Sequence, residues 1–109
     1  MDLEKLTQPT VRHAIQALQS GDRSAWLAQF GPDPTFTDEG LPANFQKFSE
    51  HAMGHERFTR IDRVENQGLD IYGAFHSDRW GDFETFFKFR LDGDGKIRQL
   101  DIGQTDLPS

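Results

Sequence analysis

Asp38 is the residue in this chain whose type and position point most directly to chemistry. It closes the short run Thr35-Phe36-Thr37, which reads as a strand, and it follows the large aromatics Trp26, Phe30 and Phe36. A carboxylate facing an apolar pocket is poorly solvated. Its pKa rises toward the working pH and it becomes a stronger base. The same position also suits a plainer role, a strand-end residue that caps a turn. Tyr72 and His76 stand four apart on one expected strand and therefore share a face. Turned inward, they would join Asp38 in a polar cluster, with His76 as acid or base near neutral pH. Turned outward, they would help a dimer pack. Gln104 ends the last expected strand and is a candidate for a hydrogen bond to a ligand.

Other patterns carry less. His51 and His55 have the i, i+4 spacing that can hold a divalent metal, but two ligands are too few and Gly54 interrupts the helix between them. A third ligand would have to come from Glu50, Glu56 or His76. The run Asp92-Gly93-Asp94-Gly95-Lys96-Ile97 looks like a piece of a calcium loop. In that register Arg90 would fill the first ligand position and no flanking helices exist, so a hairpin turn is the better assignment. No phosphate-cradling glycine loop and no Gly-x-Ser-x-Gly elbow is present. The expected metal and cofactor content is none.

These residues need a frame. Pro9 suits the first turn of a helix, and Val11, Ala14, Ile15 and Leu18 follow at helical spacing until Ser20-Gly21. Asp22 is an N-cap for a second helix carrying Trp26, Leu27 and Phe30 on one stripe, stopped by Gly31-Pro32. A third helix spans about Ala43 to Met53, with Phe45, Phe48, Ala52 and Met53 on one side. The remainder reads as strands. Arg57–Glu65 spaces its apolar residues by three, so a bulge or helical turn is expected there; Leu69–Ser77 alternates. Trp80–Leu91 is the longest, with Phe83, Thr85, Phe87 and Phe89 on one face and Phe86 among charges on the other. Lys96–Gln104 returns after the hairpin. Helices first and antiparallel strands last give an α+β fold in one domain, residues 1–109.

Composition sets outer bounds. A chain of 109 residues can bury about two-thirds of its unfolded surface, enough for one core. Its hydrophobic share is only 35%, but ten Phe, two Trp and one Tyr supply large buried areas. Few, large, flat side chains suit a cavity wall. A net charge of −6, with no long basic run, argues against nucleic acid or an anionic membrane surface as partner. The absence of cysteine excludes disulfides and thiolate chemistry. The charged Met1–Lys5 start is no secretory signal and no apolar run is long enough to span a membrane, so a cytoplasmic location is expected.

The stretch Gly21-Asp22, Trp26, Phe30, Asp33-Pro34, Phe36, Asp38 resembles the NTF2-like superfamily, especially its SnoaL-like and ketosteroid-isomerase-like branch. The Phe-rich strand, hairpin and final strand strengthen the likeness, which covers roughly residues 9–104. It implies a cone-shaped, cystatin-like fold in which a curved, mainly antiparallel sheet wraps the first helix. In ketosteroid isomerases the position matching Asp38 holds the proton-transferring carboxylate. The two oxyanion donors of those enzymes fall here on Ala14 and Phe87, so a developing enolate would lose several kcal/mol of stabilisation. Steroid isomerisation is therefore not expected. Three functions stay open. The first is a small-molecule-binding protein with an aromatic-lined pocket. The second is a cofactor-free isomerase, cyclase, dehydratase or hydrolase with Asp38 as base and Tyr72 or His76 as partner. The third is a homodimeric interaction module built on the outer sheet face. Trp26, Phe30, Phe36, Phe48, Phe87, Phe89 and Gln104 are the candidate ligand contacts, the aromatics among them being equally suited to a solid core.

Overall fold

The structure, a computed structural model, describes residues 3–105. After a short turn at Leu3–Lys5, helix α1 runs Pro9–Ser20 and α2 runs Arg23–Leu27. Strand β1 (Phe30–Asp38) and the two-residue β2 (Leu41–Pro42) precede α3 (Phe45–Ala52). Four strands complete the chain: β3 (Glu56–Glu65), β4 (Asp70–Ser77), β5 (Gly81–Leu91) and β6 (Ile97–Gln104). The six strands form one sheet in the order β2-β1-β6-β5-β4-β3. Only the β1–β6 pair is parallel; the other pairs are antiparallel.

Local chemistry explains the element ends. Gln8 caps α1 by accepting the Val11 N–H, Asp22 caps α2 through Ala25, and Asn44 caps α3 through Lys47. Gly21 ends α1 in the left-handed region, at φ 71°. The second helix is shorter than its apolar spacing suggests. It stops at Leu27, which is exposed, and Phe30 instead opens β1. Pro32 and Pro34 lack N–H groups, and the β1–β6 register shifts between Phe30 and Thr35, where they lie. Glu39 and Gly40, with φ of 55° and 81°, make the tight turn between β1 and β2, a pairing that the sequence leaves unmarked.

The expected irregularity in β3 is present as two register shifts, between Phe58 and Arg60 and between Ile61 and Arg63. These curl β3, the last strand of the sheet, over the inner face. Its edge is covered rather than left open. The Gln19 amide of α1 donates to the Phe58 carbonyl and accepts the Phe58 N–H, each at 2.8 Å. Lys5 Nζ reaches the Ile61 carbonyl at 3.0 Å. One face of the sheet, together with α1, α2 and α3, encloses the core. Val11, Ile15, Leu18, Trp26, Phe58, Phe87 and Phe89 are all buried there. Among the described residues no helix is long and apolar enough to cross a membrane.

Candidate functional site

A cleft of about 910 Å³ opens between α3 and one end of the sheet's inner face. Phe36, Phe48, Phe75, Phe83 and Phe87 form its apolar wall. Strand alternation selects them. Phe83, Thr85 and Phe87 share one face of β5, Phe75 and Ser77 one face of β4, and Phe36 and Asp38 one face of β1. The rim is polar, and Asp38, Glu39 and Gln104 stand at it where β1 and β6 end.

Asp38 therefore points into the cleft, on the same side as Phe36. One flank remains open to solvent, yet burial raises its pKa above the ordinary carboxylate value, and the negative charge of Glu39 adds to the rise. Glu56 is the second carboxyl in the cleft. Burial raises its pKa as well. The hydrogen bond from Ser77 opposes the rise, while the charges of Asp38 and Asp78 reinforce it. Ser77 is a buried hub: its hydroxyl donates to Glu56 Oε2 at 3.0 Å and accepts the N–H groups of Arg79 and Trp80. Trp80, 67% exposed, forms part of the cleft lining from the turn so fixed.

Tyr72 and His76 do not join this site. On β4 the inward positions are Ile71, Gly73, Phe75 and Ser77, so Tyr72 and His76 lie on the opposite face of the sheet. Tyr72 lies under the Arg63 guanidinium, 4.1 Å from its ring centre. His76 sits between Asp82 at 2.6 Å and Asp78 at 3.0 Å, which raise its pKa. The inward alternative for this pair is thus corrected by the pleat. Trp26, Phe30 and Phe89 are likewise corrected: all three are buried in the core and none lines the cleft. Trp26 and Phe30 pack against Phe45 of α3, and Phe89 lies two residues further along β5 than Phe87. Phe36, Phe48, Phe87 and Gln104 do line it.

Sequence reasoning gave no cleft role to Glu56, Ser77, Phe75, Phe83 or Trp80. The pairing of Glu56 with Ser77 across β3 and β4 brings two polar residues to the open end of that ladder. Trp80 was read as the first residue of the longest strand, whereas it lies in the turn just before β5. His51 and His55 both face the cleft, but among the described residues no three metal-ligating side chains cluster. The Asp92–Gly95 segment is a hairpin turn, with Asp92 accepting the N–H groups of Asp94 and Lys96.

The raised carboxyls have a measurable consequence. The folded state holds the Asp38 proton more tightly than the unfolded chain does. Stability therefore falls as pH rises from the ordinary value of 3.8 through the raised one. Asp38→Asn removes that loss. Its thermal midpoint should equal or exceed that of the parent at pH 7, with any gain vanishing below pH about 3.8. A midpoint lowered at pH 7 would mean the carboxylate is stabilising.

No family model matches the chain, and no curated protein matches it in sequence. Solved structures match it closely in shape. An NTF2-like protein of unknown function from Cytophaga hutchinsonii superposes with a TM-score of 0.71 at 13% identity, over 92% of this chain and 91% of that one. A proposed polyketide cyclase from Sinorhizobium meliloti gives 0.73 at 17%, over 94% and 99%. The Anabaena Orange Carotenoid Protein, in a structure binding canthaxanthin, gives 0.74 at 15%. This chain covers 37% of that longer protein, with 94% of its own length aligned. Identities this low define the fold alone: it is NTF2-like, α+β and cystatin-like, as the sequence resemblance implied.

Proposed function

We propose that this protein binds a small hydrophobic molecule in the cleft beneath α3. The observation that carries this is the aromatic wall of Phe36, Phe48, Phe75, Phe83 and Phe87 around about 910 Å³ of space. That volume is within the range of small-molecule sites, and apolar walls with a few polar groups at the rim are typical of them. The carotenoid-binding neighbour of the same fold supports the reading. The expected setting is the cytoplasm. A titration with 1-naphthylmethanol tests it, because Trp80 lines the cleft while Trp26 is fully buried. A saturable change in Trp80 emission, absent in Trp80→Phe, is expected, together with a one-to-one complex by native mass spectrometry. No saturable change and no retained ligand would remove the proposal.

Two carboxyls of raised pKa at the rim favour a second reading, cofactor-free acid–base catalysis with Asp38 as base. Glu56 then takes the partner role first considered for Tyr72 and His76. Asp38→Asn would abolish turnover of an isomerase, cyclase, dehydratase or hydrolase substrate without lowering stability. The outer sheet face supports a homodimer: Tyr72 and Phe86, paired across β4 and β5, lie half-buried beside Arg63 and Lys88. Light scattering should give twice the chain mass, and Phe86→Glu should halve it; a parent monomer would rule the dimer out.

A further inference from the structure

The charges facing the cleft are not balanced against one another. Among the described residues, the Asp38 carboxylate has no hydrogen bond and no ion pair, and Glu56 is held only by the neutral hydroxyl of Ser77. Of the remaining lining acids, Glu50 lies exposed on α3 and the other two are engaged. Glu39 accepts the Gln104 N–H at 2.7 Å, and Asp78 is engaged by His55 at 3.1 Å and His76 at 3.0 Å. The cleft also carries Lys47 and Arg79; neither is paired with Asp38 or Glu56, and the Arg79 guanidinium lies 4.9 Å from the centre of the Trp80 ring. Two acids, the charge of Asp38 raising the pKa of Glu56, thus meet an apolar wall with no ion-paired partner.

We propose that the ligand of this cleft is an amine: a flat apolar body stacked against Phe48, Phe75 and Phe87, with a protonated nitrogen between Asp38 and Glu56. The apolar wall favours the body by burying it, and π-electron-rich rings tolerate a nearby cation. The ammonium supplies the ion-pair partner that Lys47 and Arg79 do not, through charge-assisted hydrogen bonds to two carboxylates. An anion would meet the same acids as a repulsion. This specificity rests on the ligand-binding function proposed above.

Three probes with one aromatic body separate the two ideas: 1-naphthylmethylamine, 1-naphthylmethanol and 1-naphthylacetate, titrated against the full chain at pH 7.5. The amine should bind about tenfold or more tightly than the alcohol, roughly the value of one such bond at a partly open site, and the carboxylate should bind weakest. In Asp38→Asn/Glu56→Gln the amine and alcohol should fall within about twofold of each other, with circular dichroism confirming the fold. Glutamine at position 56 keeps an acceptor for Ser77, so loss of charge is the principal change. An alcohol or carboxylate that binds the parent as tightly as the amine overturns the amine specificity and leaves the hydrophobic cleft standing. An amine preference that survives the double substitution also overturns it. Failure of all three probes overturns both.

Discussion

Gly73→Ala should cost about 3 kcal/mol of stability, the upper end for overpacking a core by one methyl group. A Cβ at this position would lie 2.1 Å from the Arg60 carbonyl oxygen and 3.1 Å from the Cα of Ile61. Both are backbone atoms of the neighbouring strand, so no side-chain rotation relieves the contact. The cause is the irregular pairing of β3, whose register shifts on either side of Arg60 and Ile61 bring that carbonyl over the inner face of β4. To admit the methyl, β3 must uncurl, and β3 also carries Phe58 and Ile61 into the core. For a domain whose total stability is on the order of 5–15 kcal/mol, the unfolding midpoint should drop by roughly 10 °C or more. Gly103→Ala is the matched control. Its new Cβ would lie 2.7 Å from the Phe86 ring, a side chain on the outer face that can swing aside. Denaturant unfolding of the two variants should show the larger loss at Gly73. Equal losses would mean that the curl of β3 is not held by this contact.

Trp26→Ala should be at least as damaging, at about 3–5 kcal/mol. Trp26 is fully buried from the short helix α2 and packs on Phe30, Phe45 and Phe48, with ring centres 4.9, 6.4 and 6.1 Å away. Its indole N–H donates to the hydroxyl of Ser49, itself 1% exposed, at 3.0 Å. Trp26 therefore sets both the depth and the rotation of α3, whose Phe48 faces the cleft. Removing it opens a cavity and leaves a buried hydroxyl without its partner. Trp26→Phe isolates the second effect. It keeps most of the ring contacts but strands Ser49, at a cost of about 1–3 kcal/mol, and adding Ser49→Ala should recover part of that loss. Binding of 1-naphthylmethanol should weaken in Trp26→Ala, because Phe48 loses its support. Urea unfolding and the same fluorescence titration measure both. A Trp26→Ala variant with unchanged midpoint and affinity would show that α3 is fixed by something other than this tryptophan.

Much of the frame was legible in the sequence because it follows from short-range rules. The side-chain cap at Asp22, the glycine stop at Gly21 and the alternation of β4 and β5 act over a few residues each. They specify three helices, the Phe-rich strand and its hairpin, and hence an α+β chain; the NTF2-like form was what the resemblance implied. The same alternation put Phe36 and Asp38 on one side, and the cleft lies on that side. The helix-period spacing of Trp26, Leu27 and Phe30 misled because the prolines that follow tolerate an irregular strand as readily as they end a helix.

What local rules cannot supply is which face of a strand meets the helices. Tyr72 and His76 were placed together correctly, but their side of the sheet depended on β4 as a whole, where Ile71 and Phe75 claim the core. The partnership of Asp38 with Glu56 depended on packing between segments distant in sequence. It needs the end of β1 and the start of β3, at opposite sides of the sheet, to curve toward one opening. That curvature comes from bulges, close glycine contacts and the seating of α3 by Trp26, which are long-range and cooperative. Residue types and spacing thus determined the elements and the acid at the end of β1. Only the tertiary structure decided that a second acid, a serine hub and an exposed tryptophan share its cleft, because a curved sheet brings together what the chain keeps apart.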